Sequence, residues 1–240
     1  DGRAAYRAEH IAGAVFADVD RDLAAPSTRD GGRHPLPSPD AFAAALGRLG
    51  IASQDVVVAY DDAGGVFAAR LVWMLRTLGQ DAAVLDGGLA GWPGGTETGD
   101  AVRPAVDVAP RPWPDAALAD ADDAGSGRFV TLDARTRERF DGAPHPLDPR
   151  PGHVPGAVSA PCGGNLHDGR MLTPAGLADR FRGLGVTDAA GVVAYCGSGL
   201  TACHNLLAME FAGLGRGRLY PGSWSAYAGD PARRVETGSG

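Results

Sequence analysis

The chain contains no lysine: all 22 of its basic residues are arginine, a compositional bias that we do not read as a functional signal. A basic surplus is missing as well. The net charge of −7 argues against nucleic acid as a default partner, because phosphate binding needs a basic surface. No apolar run approaches the roughly 20 residues needed to cross a bilayer, so no membrane partner is expected, and no segment reads as a secretory signal peptide. Cysteine is scarce, with Cys162, Cys196 and Cys203 alone. An odd, sparse set is no disulfide framework and fits a reducing compartment, so a cytoplasmic location is expected. None of the three sits in a Cys-x-x-Cys pair, which argues against a structural zinc site. Neither a metal nor an organic cofactor is expected.

What is present is the balance of a globular protein, 44% hydrophobic and 21% charged, over 240 residues, enough for two ordinary domains. The chain also repeats itself. Arg7-Ala8-Glu9-His10-Ile11-Ala12-Gly13-Ala14-Val15 matches Arg150-Pro151-Gly152-His153-Val154-Pro155-Gly156-Ala157-Val158. Each copy continues with a helix-like stretch ending in Leu-Gly-Ile or Leu-Gly-Val (40–51 and 174–186). An apolar run ending in Tyr60 or Tyr195 follows, then a Gly-containing loop and an apolar helix (67–78 and 202–214). Each closes on a short strand and a Gly-rich turn, at Ala83-Val84-Leu85-Asp86-Gly87-Gly88 and Arg218-Leu219-Tyr220-Pro221-Gly222. Continuous apolar strands alternating with helices predict an α/β fold, each copy a mostly parallel sheet with helices on both faces.

We expect a first domain over residues 1–95, a Pro- and Gly-rich linker over 96–114 and a second domain over 115–240. The second copy opens with a helix-like stretch at 115–124 and a strand at 129–132, ahead of Asp133-Ala134-Arg135. The first copy has no such opening, so by its own repeat about 20 further residues are expected before Asp1.

Cys196 stands in Tyr195-Cys196-Gly197-Ser198-Gly199-Leu200-Thr201-Ala202, where a buried strand gives way to a helix. Ligands bind at that carboxyl edge of a parallel sheet. Gly197 and Gly199 let the backbone curl so that successive N–H groups face inward, and such a nest at a helix start favours an anion such as a thiolate. Cys203, inside the apolar helix, reads as core packing. Cys162 is assigned no role.

The two copies resemble tandem rhodanese domains over essentially the whole chain. The resemblance rests on the two His-x-x-Gly-Ala segments, Asp133-Ala134-Arg135, the loop from Cys196 to Thr201, and Gly222-Ser223-Trp224. It implies a sulfurtransferase whose C-terminal domain is catalytic. Asp61 stands in the place of Cys196 in the first copy, and a carboxylate cannot carry a sulfane sulfur. The neutral Cys-Gly-Ser-Gly-Leu-Thr loop is similar to that of 3-mercaptopyruvate sulfurtransferases, whereas thiosulfate-specific members tend to carry basic residues there. The resemblance further implies a relay of Ser198, His34 and Asp20, with the last two reaching a site between the domains from the first. It implies substrate contacts from Gly197, Gly199, Leu200 and Thr201, and a carboxylate-binding Arg139. The second such arginine falls at or near Leu147, a departure from the pattern, and Arg150 is the candidate substitute. Trp224 is open between pocket wall and core.

The implied partners are a small-molecule sulfur donor, mercaptopyruvate or thiosulfate, and a thiophilic acceptor such as cyanide, a thiol or a protein thiol like that of thioredoxin. Two other classes compete. Thiol phosphatases share the strand–loop–helix but need an arginine six residues after the cysteine, where this chain has Ala202. A non-catalytic rhodanese-like binding module is the other, and the intact Cys196 loop speaks against it.

Overall fold

The computed structural model describes residues 2–238, which fall into two compact units. The first comprises the chain up to Ala25 together with Leu36–Trp113; the second comprises Pro26–Pro35 and everything from Pro114 onward. Among the described residues, no helix is long and apolar enough to cross a membrane.

The first unit runs α1 (Gly2–Ala8), β1 (His10–Ile11), α2 (Val19–Asp22), α3 (Pro39–Arg48), β2 (Val57–Ala59), α4 (Ala68–Thr77), β3 (Ala82–Val84) and β4 (Thr96–Glu97). Strands β2 and β3 pair in parallel, and β1 pairs antiparallel with β4. Its core lies on α3 and α4, where Phe42, Leu46, Val72, Trp73, Met74 and Leu75 are buried. The stretch expected to be a linker packs back on this unit. Glu97 is in register with His10, Gly99 N–H donates to Arg7 O (2.8 Å), Val106 N–H donates to Gly47 O (3.1 Å), and the Trp113 ring sits 5.4 Å from that of Phe42.

The second unit runs α5 (Ala121–Gly125), β5 (Val130–Asp133), α6 (Arg137–Asp141), β6 (Val158–Ser159), β7 (Leu166–His167), β8 (Arg170–Met171), α7 (Pro174–Gly183), β9 (Val192–Tyr195), α8 (Thr201–Phe211), β10 (Arg218–Leu219) and α9 (Ser223–Tyr227). Strands β10, β9, β5 and β6 form one parallel sheet in that order. Every residue of β9, Val-Val-Ala-Tyr, is fully buried, as a central strand covered on both faces requires. Helix α8 buries eight consecutive residues, Ala202 to Met209, which leaves it almost no polar face. The helix expected over 115–124 splits into a single 3-10 turn at Asp115–Ala117 and the short α5. Between them Leu118 bridges Leu219 and Ala119 N–H donates to Leu219 O, so the chain is drawn into the sheet edge and cannot stay helical. In the first unit, by contrast, no described strand stands beside β2 where β5 stands beside β9, and Val56 and Val58 are exposed.

The repeat has physical content. Ser38 and Thr173 cap α3 and α7, each followed by proline at the first helical position, where its missing N–H costs nothing. Both helices end on a left-handed glycine, Gly50 (φ +67°) and Gly185 (φ +85°), after which Ile51 and Val186 donate back to Leu46 and Phe181 carbonyls at 3.0 Å. The histidines are brackets. His10 stacks on Tyr6 (4.1 Å) with Nδ1 on the Tyr6 carbonyl; His153 stacks on Phe140 (3.7 Å) with Nδ1 on the Phe140 carbonyl. The strand-end tyrosines finish the pattern: Tyr60 Oη accepts from Ile11 N–H, and Tyr195 Oη accepts from Val154 N–H.

Candidate active site

Strand β9 ends at Tyr195, and α8 starts at Thr201; the five residues between form the loop. Cys196 is 2% exposed. Its N–H donates to Ser223 Oγ (3.1 Å), which in turn donates to Tyr220 O (2.9 Å). Trp224 N–H donates to Cys196 O (2.9 Å), and Ser225 N–H donates to Gly197 O (3.0 Å), so the start of α9 clamps the loop backbone. Ser223 is held at φ +51°, a conformation rare for a residue with a side chain, by this set of bonds. Gly199, at φ +82°, turns its N–H onto Cys196 Sγ at 3.1 Å, so the loop offers a backbone donor to an acceptor at that position.

The corresponding loop of the first unit offers such donors more fully. The Asp61 carboxylate accepts four backbone N–H bonds, from Ala63 (2.8 Å), Gly65 (2.7 Å), Phe67 (2.7 Å) and Ala68 (2.8 Å). A side chain built in place of the cysteine therefore fills the nest with its own anion. Replacing Asp61 with alanine should cost about 1–3 kcal/mol, because four donors lose their acceptor. Sulfate should then raise the melting temperature of the variant more than that of the parent; an unchanged melting temperature on substitution would count against the nest.

Ser198 is 6% exposed, and its Oγ lies 2.8 Å from His34 Nδ1. With the ring proton on Nε2, the hydroxyl donates and Nδ1 accepts. His34 lies in Pro26–Pro35, a segment within the residues expected as the first domain that packs as part of the second unit. The segment is closed by Thr28 and Gly32, whose backbones exchange bonds of 3.1 and 2.9 Å, and is clipped to α9 by Arg33 N–H on Ser225 Oγ (3.0 Å). Asp20 lies in α2 of the first unit, its N–H donating to Asp18 Oδ1.

Arg139 projects from α6 and is gripped by buried Asp148, with Nε on Oδ2 (2.9 Å) and Nη2 on Oδ1 (2.5 Å). Nη2 still reaches the loop, standing 3.0 Å from the point where a Cβ on Gly197 would lie. Arg33 Nη2 stands 2.9 Å from that same point, and Arg33 Nη1 donates to the Leu147 carbonyl. Sequence reasoning missed Arg33, although it lies one residue before His34. Burial lowers its pKa, Asp148 opposes the shift, nearby Arg139 adds to it, and Cys196 opposes it.

Arg150 does not take the second arginine's place. Its guanidinium is spent on the carbonyls of Ala228 (2.9 Å), Asp230 (2.8 Å) and Arg233 (3.2 Å), where it ties down the chain after α9. Trp224 resolves as core: it is fully buried, its Nε1 donates to Arg150 O, and Arg135 lies 4.6 Å over its ring. Cys203 donates to Gly199 O from within α8, and Ala202 is fully buried beside it, with no guanidinium at that position to grip a phosphate. Leu200 is buried at the helix start. Burial raises the Cys162 thiol, Cys196 adds to the shift, and contacts including a hydrogen bond with Thr201 oppose it, so Cys162 stays protonated beside the loop.

The profile of the rhodanese-like domain matches residues 2–94 and 116–230. The chain belongs to the rhodanese family. Among relatives of this rhodanese-family protein, a probable 3-mercaptopyruvate sulfurtransferase of Pseudomonas aeruginosa is 46% identical, over 99% of this chain and 87% of its own length. A putative thiosulfate sulfurtransferase of Mycobacterium tuberculosis is 36% identical over 100% of this chain and 87% of its own. The solved 3-mercaptopyruvate sulfurtransferase of Leishmania major superposes with a TM-score of 0.82 at 32% identity, covering 95% of this chain, which spans 66% of that one. These similarities place the rhodanese-family chain among the sulfurtransferases, with its two α/β domains.

Proposed function

We propose that the protein transfers sulfur from 3-mercaptopyruvate through a persulfide on Cys196. The observation that carries this reading is the Ser198–His34 contact of 2.8 Å, two residues from Cys196 in a loop with no charged side chain of its own. The Cys196 thiolate attacks the sulfur of the donor. An S–S bond forms and the donor's C–S bond breaks, its electron pair passing to carbon as the enolate of pyruvate. The proton carried on the transferred sulfur, acidic once it is a persulfide, goes to that carbon, so pyruvate leaves and a persulfide anion stays. An acceptor thiolate or cyanide then attacks the outer sulfur, and the S–S electron pair returns to Cys196.

A hydroxyl–imidazole pair suits the proton transfer that this donor requires. Thiosulfate leaves as sulfite and forms no carbanion. It is the second reading, favoured by the two guanidinium groups beside Gly197 and by the name of the mycobacterial relative. Small thiophiles are the proposed acceptors, with a protein thiol such as that of thioredoxin as a further one.

The test compares kcat/KM for both donors in the parent and in Ser198→Ala. Mercaptopyruvate turnover should fall about 10²-fold while thiosulfate turnover changes by no more than a few-fold. Equal losses would sink the role of Ser198. A parent that consumes only thiosulfate would sink the donor.

A further inference from the structure

The proposed donor carries a carboxylate, and the position from which a second arginine was expected holds Leu147 instead, an apolar residue 57% exposed. The fold supplies a guanidinium there from elsewhere in the chain. Arg33 reaches the backbone of Leu147 through Nη1, and its Nη2 faces the space above Gly197. Arg139 Nη2 faces that space as well, so two cationic N–H groups lie within 3.0 Å of one point, on the residue that follows Cys196. Gly197 has no side chain, and a Cβ there would crowd both nitrogens.

The two arginines are not equivalent. Arg139 is held at Nε and Nη2 by Asp148, which neutralises much of its charge. Arg33 is anchored through its backbone N–H on Ser225 Oγ and through one nitrogen on a neutral carbonyl, and no carboxylate pairs with it among the described residues. Arg33 is half-buried, with the Asp148 charge near it but not bonded to it, and Arg139 repels it; an anion lodged between the two guanidinium groups relieves that repulsion. A planar carboxylate can accept one N–H bond from each fork, the geometry that guanidinium groups favour.

We infer that Arg33 is the second carboxylate-binding arginine of this enzyme, standing in for the residue at Leu147 and completing a clamp with Arg139 over Gly197. The inference rests on the mercaptopyruvate reading. Because Arg33 adjoins His34, the segment Pro26–Pro35 would deliver both the proton-relay partner and the charge that recognises the donor. The loop beside Cys196 can then stay free of charged side chains without losing its grip on an anionic substrate.

The test is steady-state kinetics of Arg33→Met and Arg33→Lys with mercaptopyruvate, with Arg139→Met alongside. Arg33→Met should raise KM about 10- to 100-fold, the loss expected for charge-assisted hydrogen bonds, while kcat falls much less. Arg33→Lys, which keeps the charge but not the fork, should recover part of the loss and still bind more weakly than the parent. A binding readout separates recognition from turnover: the dissociation constant of pyruvate for Cys196→Ser should rise in parallel when Arg33→Met is added. A KM rise below about threefold in Arg33→Met, or a pure kcat loss with pyruvate binding unchanged, overturns the assignment. Failure of the donor reading looks different, since the parent itself would then not turn over mercaptopyruvate.

Discussion

Replacing Cys196 with serine should abolish sulfur transfer, by at least about 10³-fold with either donor, while the protein stays folded. The loop around Cys196 is held through backbone atoms: its N–H on Ser223 Oγ, its carbonyl on Trp224 N–H, and the Gly197 carbonyl on Ser225 N–H. None of these depends on the sulfur. Serine is close in size, and its Oγ can accept from Gly199 N–H where Sγ now does at 3.1 Å. What serine lacks is the chemistry, because an alkoxide at neutral pH is scarce and an O–S adduct is no persulfide. Intact-mass measurement gives the positive control: the parent treated with donor should gain one sulfur atom, and Cys196→Ser should gain none. Cys162 is the informative comparison, since it lies near enough to feel the Cys196 charge yet remains a half-buried thiol held in its protonated form. Cys162→Ser should keep most of the activity. Sulfur found on Cys162, or turnover retained without Cys196, would overturn the proposed role of Cys196.

Much of this site is legible in the sequence because a duplicated chain carries its own comparison. The matched His10 and His153 segments, Tyr60 just after β2 and Tyr195 at the end of β9 mark equivalent places, so the sequence alone sets Asp61 against Cys196. The structure shows why those residues repeat: they are hydrogen-bonded brackets, not reactive groups. Arg33 was not legible. Its partners, Leu147 and Gly197, lie more than a hundred residues away, and such distant contacts leave no local pattern. Arg150 misled for the matching reason: nearness in sequence to Leu147 says nothing of where a long side chain ends, and three carbonyls after α9 claim it. The segment 96–114 lacks periodicity and so reads as a linker. Its isolated anchors, Glu97, Val106 and Trp113, nevertheless hold it to the first unit.

The Asp133-Ala134-Arg135 motif was visible as a signature without a role, and the structure assigns it one that predicts the largest loss of stability. Asp133 and Arg135 have side chains 0% and 1% exposed and form a bidentate pair, Nη2 to Oδ2 at 2.6 Å and Nε to Oδ1 at 3.0 Å. Asp133 Oδ1 also accepts the Arg135 backbone N–H (3.0 Å), and Arg135 Nη2 donates to Gly152 O (2.7 Å). Asp133→Ala leaves a buried guanidinium whose remaining carboxylate is Asp148 at 3.4 Å, and should destabilise the protein by about 3–5 kcal/mol in urea unfolding. Most of that cost is the uncompensated charge. The double variant Asp133→Ala/Arg135→Met should therefore recover a good part of it, although the cation over Trp224 is lost as well. If the double variant is no more stable than the single, the pair is not a charge-compensation device. Asp148 connects this pair to the site, since the same carboxylate holds Arg139. With Asp133 gone, Arg135 competes harder for Asp148, so Asp133→Ala should also shift KM for the anionic donor. Asp133→Asn, which keeps hydrogen-bonding capacity without charge, should lie between the parent and Asp133→Ala in both stability and KM.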